Sequence, residues 1–217
     1  KRFIPEQSPE HLRHWLSQAL LDGKANDVSV RLKGDLAHFP FEPRLLNGQS
    51  KALDSAKQKT VGKASEQGEF SVKGKIVKGK LNFLPGVMAK DGASPFWPII
   101  ENIQGRFVFE RARMEILGDS ATSNNVALSK VKAVIPDLLE HNSILQIDGI
   151  ATGAVQGMFN YVKASPVDAW LGGFLHDSVA LGNGQLNLKL QLPLNHILES
   201  KVNGTLQLQN VETRLQP

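Results

Sequence analysis

Leu186-Asn187-Leu188-Lys189-Leu190-Gln191-Leu192-Pro193-Leu194 decides the fold class. Five leucines alternate with polar residues and proline. A period of two places every leucine on one face of an extended strand. Gly182-Asn183-Gly184 precedes it as a turn signal, and Val202, Leu206 and Leu208 repeat the alternation after it. At ~3.3 Å per residue, a ten-residue strand of this kind spans roughly 33 Å.

The same period runs upstream. Val28, Val30, Leu32 and Leu36 alternate with polar residues. Phe70, Val72 and Ile76 hold one face, and Val77, Leu81 and Phe83 the next. The change of parity at Ile76-Val77 predicts a β-bulge or strand break. Ile103, Phe107 and Phe109, then Met114 and Ile116 beyond Arg111-Ala112, predict a hairpin. Val126, Leu128, Val131 and Ala133 predict another strand, and Leu145-Gln146-Ile147 one more. Residues 85–98, with Pro85, Pro95 and Pro98, read as a loop.

A short pattern recurs, apolar-x-Gly-x-apolar. It stands at Leu32–Leu36, Val72–Ile76, Val77–Leu81, Ile103–Phe107 and Val202–Leu206, each glycine in phase with its strand's apolar residues. Glycine weakens a strand, so repetition at this phase implies a sheet bent along one line.

Helical patterns are few. Ser8-Pro9-Glu10 is a helix start, and Leu12, Trp15, Leu16, Ala19 and Leu20 form one stripe. This predicts an amphipathic helix over 8–22, stopped by Gly23. Residues 154–175 predict a helical pair, with Val155, Met158, Phe159 and Val162 in the first member and Val167, Trp170 and Leu171 in the second. Residues 44–67 are rich in Lys, Ser and Gln and read as a polar loop or insert. The expected fold is mainly β with a few α-helices. It is a long, strongly curved, mostly antiparallel sheet forming a groove, with helices at its ends or mouth.

Composition narrows the chemistry. The chain has 217 residues, 28 leucines, 14 aromatic residues and no cysteine. Disulfides, thiolate metal sites and thiol catalysis are excluded. The net charge of +4 is mild, and no Lys/Arg block resembles a nucleic-acid arm. No apolar run reaches the roughly 18–20 residues of a membrane span. No signal peptide is visible and residue 1 is Lys, so the chain reads as a middle piece of something longer.

No catalytic or metal-binding set emerges, and no cofactor is expected. The six histidines lack carboxylate partners at ligand spacing. Gly74–Leu81 approaches a phosphate-binding loop, but Leu81 stands where a Ser or Thr should bind magnesium. His176-Asp177-Ser178 has the residue types of a triad without its geometry. Trp15 and Trp170 are expected to pack on the sheet. Trp97, beside Phe96, suits either packing or a lipid surface.

Three blocks carry a family resemblance. They are Trp15-Leu16 with Leu32–Leu36 and Phe39-Pro40-Phe41; Ile103–Phe109 with Ala112–Ile116; and Tyr161, Ser165-Pro166, Gly182–Gly184 with Leu186 to Leu194. In order and spacing they resemble the central region of YhdP-type, AsmA-like proteins of the bacterial cell envelope. The resemblance covers nearly the whole chain except 44–67. It implies a periplasmic segment of an inner-membrane-anchored protein, not an enzyme, conducting phospholipid between membranes through a hydrophobic groove. The implied partners are phospholipid acyl chains, the membrane through segments outside this chain, and other envelope proteins. The expected groove lining is Val28, Val30, Leu32, Phe70, Val72, Phe107, Phe109, Leu186, Leu188, Leu190, Leu206 and Leu208. Branched aliphatic walls suit acyl chains, which need only continuous apolar surface. Two alternatives use the same strands. One is a structural module with a closed core, its helices capping or plugging the groove. The other is a scaffold that binds a protein by adding a strand to an open edge.

Overall fold

The computed structural model describes residues 10–39, 41, 68–89, 91–196 and 199–214. The polar stretch 44–67 and the Ser8-Pro9 helix start lie outside the described residues. Eight strands form one antiparallel sheet in sequence order: β1 (Leu20–Lys33), β2 (Glu69–Leu81), β3 (Ile100–Glu110), β4 (Arg113–Ser123), β5 (Val126–Ile135), β6 (Ile144–Ala154), β7 (Val179–Pro193) and β8 (Lys201–Arg214). Each strand pairs with its neighbours in sequence, and β1 and β8 are the two edges. The helices are α1 (Glu10–Ala19), α2 (Val155–Lys163) and α3 (Val167–Trp170).

The period-two reading holds along most of the sheet, but Leu36, expected in the first strand, lies in a short 3-10 turn (Leu36–His38), Phe83, expected in the second, lies beyond the end of β2, and Gly182-Asn183-Gly184, read as a turn signal, lies inside β7. A further correction falls at the start of the sheet. The expected helix over 8–22 ends by Ala19, and Leu20 already pairs with Leu81 in the β1–β2 ladder. Gly23, expected as the helix stop, lies inside β1 at φ 130°. Cross-strand hydrogen bonding has overridden the helical stripe at Leu20. The Arg111-Ala112 hairpin is present, with Glu110 paired to Arg113 and Arg111 at φ 53°. β4 and β5 are joined by Asn124-Asn125, both at positive φ (46° and 65°). Two such residues make a turn whose twist matches that of the flanking strands.

The expected bulge at Ile76-Val77 is real. The β2–β3 register shifts between Ile76 and Gly79, with Lys78 at φ 53°. Similar shifts fall at Asn26/Ser29, Glu101/Gln104 and Ser129/Lys132, each containing a left-handed residue (Asp27, Asn102, Lys130). They sit beside one row of the sheet. Ile76 pairs with Gly105, Gly105 with Gly118, and Gly118 with Val131; further along, Leu188 pairs with both Gly149 and Gly204. Bulges raise local twist and bend the strand that carries them, so a row of bulges and glycines curves the sheet along one line. Gly105 is required there. A Cβ on it would lie 2.3 Å from the Leu117 carbonyl oxygen.

The two faces differ chemically. One row of the outer face pairs Lys75 with Arg106, Arg106 with Leu117, Leu117 with Lys132, Lys132 with Asp148 and Asp148 with Lys189. Ion pairs lace this face: Lys75–Asp27 at 2.7 Å, Lys80–Glu101 at 2.7 Å and Arg113–Glu115 at 2.8 Å. The Arg113 hydrogen bond holds the Glu115 carboxyl below the usual carboxylate range. Solvent screening leaves such surface pairs little net effect on stability. They keep this face in water and leave the other to carry the core.

Candidate apolar groove

The inner face is built rank by rank from the register. In one rank Val30 pairs with Val72, Val72 with Phe109, Phe109 with Met114 and Met114 with Ile135, while Leu145 pairs with Leu192. In the next, Gly74 pairs with Phe107, and the pairing continues through Ile116, Ala133, Ile147 and Leu190 to Val202. Beyond the bulges, Ala121, Leu128, Ala151, Leu186 and Leu206 form a third. Leu32 pairs with Phe70, and Leu208 with Gly184. Val28, carried by the β1 bulge, reaches Gly74, where a Cβ would stand 3.2 Å from its methyl group. All twelve residues expected to line a groove therefore share one face.

Their surroundings divide them. Val28, Val30 and Leu32 on β1 and Leu206 and Leu208 on β8 are exposed, Val30 at 60% and Leu206 at 40%. Phe70, Val72, Phe107, Phe109, Leu186 and Leu188 are half-buried. The Phe107 ring packs edge-on against Phe109 with centroids 5.9 Å apart and fills the space over Gly74, 2.7 Å from where a Cβ would stand. Leu190 is 6% exposed and belongs to a closed cluster with Met114, Ile135, Leu145 and Leu192. The apolar face is thus open along both margins and covered in the middle.

Two elements make the cover. The β2–β3 connection, residues 82–99, puts Phe83, Leu84 and Trp97 into the cluster that holds Leu190 and Leu192. Trp15 of α1 donates from Nε1 to the Phe83 carbonyl at 2.8 Å, and Ser123 Oγ donates to the Ile99 carbonyl at 2.9 Å. The second element is α2. Met158 packs with Val126 and Ala151; Val155 and Phe159 pack with Ala180. Gln156 Oε1 accepts from the Ala180 amide at 2.9 Å and fixes α2 to the start of β7. Trp97 is buried in this core. Trp170, expected to pack on the sheet, instead meets Trp97 edge-on at 6.0 Å and is 47% exposed.

A capping role was expected of the helices at 154–175 and not of the β2–β3 connection. Its available signal was two bulky apolar doublets flanking prolines, Phe83-Leu84 just before Pro85 and Phe96-Trp97 between Pro95 and Pro98.

α2 itself carries Tyr161, the chain's sole tyrosine, on the side packed against the sheet. Burial pushes its phenol up to about 12, partly opposed by a hydrogen bond with Ser123. The unfolded chain should ionise near ~10. Below that value both states are neutral; between the two values the unfolded state gives up its proton first, so stability falls with rising pH. Phenolate absorbance should therefore appear at about 12 in the folded chain and shift towards ~10 on unfolding. Ionisation near ~10 in the folded chain would mean that α2 does not pack this ring onto the sheet.

The motifs that suggested chemistry resolve into structure. Gly74–Leu81 is part of β2, so no phosphate loop forms there. Ser178 Oγ donates to the Phe174 carbonyl at 3.2 Å and is buried in the turn before β7. Among the described residues no group of three or more His, Asp or Glu could hold a metal, and no helix is long and apolar enough to cross a membrane.

An open antiparallel sheet with one ionic face and one continuous, partly uncovered apolar face has the architecture of a curved, groove-forming sheet rather than of a closed sandwich. The chain belongs to the YhdP family, whose model (YhdP protein) matches residues 1–217. It is 23% identical, over all 217 residues, to the Intermembrane phospholipid transporter YhdP of Escherichia coli (strain K12), of which it spans 14% of the length. No solved structure matches it.

Proposed function

We propose that this chain is a periplasmic segment of an AsmA-like protein that passes phospholipid between the inner and outer membranes. Acyl chains would lie on the inner face of the sheet, with head groups in the surrounding water. The carrying observation is the uncovered apolar margin on each edge strand: Val28, Val30 and Leu32 on one side, Val202, Leu206 and Leu208 on the other. Side chains of this size in water forgo roughly 1.5–3 kcal/mol each relative to burial, a cost an acyl chain removes by covering them. The relative's printed name supports phospholipid as the cargo. Conduction of this kind needs no catalytic residue.

A second reading has its own support. β1 and β8 are 14 residues long, and no described strand pairs with their outer edges. Such edges can accept a strand from a protein partner, as in a scaffold. Organic extraction of the purified chain followed by mass spectrometry separates the two. The lipid reading predicts co-purified phospholipid, and its absence would favour strand addition.

A further inference from the structure

We propose that the described residues of the β2–β3 connection, 82–89 and 91–99, form a displaceable plug that occupies the acyl path in the middle of the inner face. The inference rests on the lipid-conducting reading and adds a control point to it. β2 and β3 are adjacent antiparallel strands, and a hairpin between such strands needs only about two to five connecting residues. Here the connection has eighteen, from residue 82 to residue 99. The surplus crosses the apolar face and fills it with side chains that mimic an acyl chain's chemistry. Phe83, Leu84 and Trp97 are each no more than 6% exposed, in one cluster with Met114, Leu190 and Leu192.

The same loop has little holding it to the sheet by polar bonds. Among the described residues, its hydrogen bonds to other elements are Asn82 N to the Ala19 carbonyl, Trp15 Nε1 to the Phe83 carbonyl, and Ser123 Oγ to the Pro98 and Ile99 carbonyls. Others are internal, such as Ala89 N to Ser94 O and Phe96 N to Val87 O. Strands β2 and β3 are already paired with each other and with β1 and β4, so lifting the loop breaks no ladder. An acyl chain entering from either margin would replace apolar contact by apolar contact. Trp97 closes the path, and it is braced from outside by the half-exposed Trp170 at 6.0 Å.

The test puts the probe on the lipid. The chain is exposed to phosphatidylcholine vesicles containing phosphatidylcholine with a diazirine in its acyl tail, photolysed, and its adducts mapped by mass spectrometry. Adducts are expected at Val28–Leu32 and Val202–Leu208 and to be several-fold rarer at Met114 and Leu190. Trp97→Ala, and separately Trp170→Ala, should raise labelling at Met114 and Leu190 several-fold, with circular dichroism showing an intact sheet. Trp170→Ala decides the matter if Trp97→Ala unfolds. Equal labelling of Leu190 and Val30 in the unaltered chain would overturn the plug while leaving the groove standing. So would an unchanged pattern in every folded variant. An absence of adducts at both margins would overturn the groove and the plug together.

Discussion

Leu192→Asp is expected to abolish cooperative unfolding, while Val30→Asp leaves the chain folded with a nearly unchanged urea midpoint. The two side chains belong to the same rank of the inner face. Leu192 is 1% exposed among Met114, Ile135 and Leu145, beneath a cluster that includes Phe83 and Trp97. Replacing it forfeits roughly 1.5–3 kcal/mol of apolar burial. It also strands a carboxylate without a partner, which costs several kcal/mol more. The sum is comparable to the ~5–15 kcal/mol that holds an ordinary domain together. Val30 is 60% exposed on an edge strand, and a charge there should change stability by less than about 1 kcal/mol. Denaturant unfolding followed by far-ultraviolet circular dichroism checks both. A folded Leu192→Asp variant would show the middle of the face to be open; an unfolded Val30→Asp variant would show its margin to be closed.

Gly105→Val should be the most damaging substitution in the bent row, with a loss of about 3 kcal/mol or more. The added Cβ would fall 2.3 Å from the Leu117 carbonyl oxygen and 3.0 Å from the Gly118 Cα, and backbone on both sides fixes those atoms. To relieve the clash, β3 and β4 must separate where the register steps between Gln104 and Gly105. That separation would flatten the sheet as well as weaken it. Gly92→Ala is the control. Gly92 has φ 66° and nothing within 4 Å of an added Cβ, so only backbone strain of about 1–2 kcal/mol opposes it. Urea midpoints of the two variants give the comparison. A Gly105→Val variant as stable as Gly92→Ala would mean that the close approach at the bend is not needed.

Most of the sheet was legible because period two is a local signal. Leu186 to Leu192 needed no tertiary knowledge to be placed on one face, and the parity change at Ile76-Val77 marked a bulge directly. Glycine phase marked only part of the bend. Gly74 pairs with Phe107 one rank away, whereas Gly105 and Gly204 belong to the bent row. Gly34 does not; it follows β1 at φ 124°. Helix length was less legible. Leu20 satisfied the helical stripe of α1, yet its partner Leu81, 61 residues away, claims it for the sheet. The hardest feature was the division between open and covered. Val30 and Leu192 look alike in sequence, as members of alternating runs, and only the path of residues 82–99 separates them. That path depends on long-range packing of Phe83 and Trp97, which no periodicity encodes. The same limit explains Trp170, expected to pack on the sheet yet 47% exposed, and Trp97, which local sequence left open between packing and a lipid surface and which is buried.

One face of this sheet, and not the other, is expected to meet acyl chains. Leu206 and Gln207 are adjacent on the exposed strand β8; Leu206 pairs with Leu186 on the inner face and Gln207 with Gln185 on the outer. Both are exposed, so accessibility does not separate them. A photoreactive residue placed at either position, irradiated in the presence of phosphatidylcholine, reads the face directly. Strong lipid crosslinking is expected from position 206 and little from position 207. Equal crosslinking from the two, or none from position 206, would contradict that expectation.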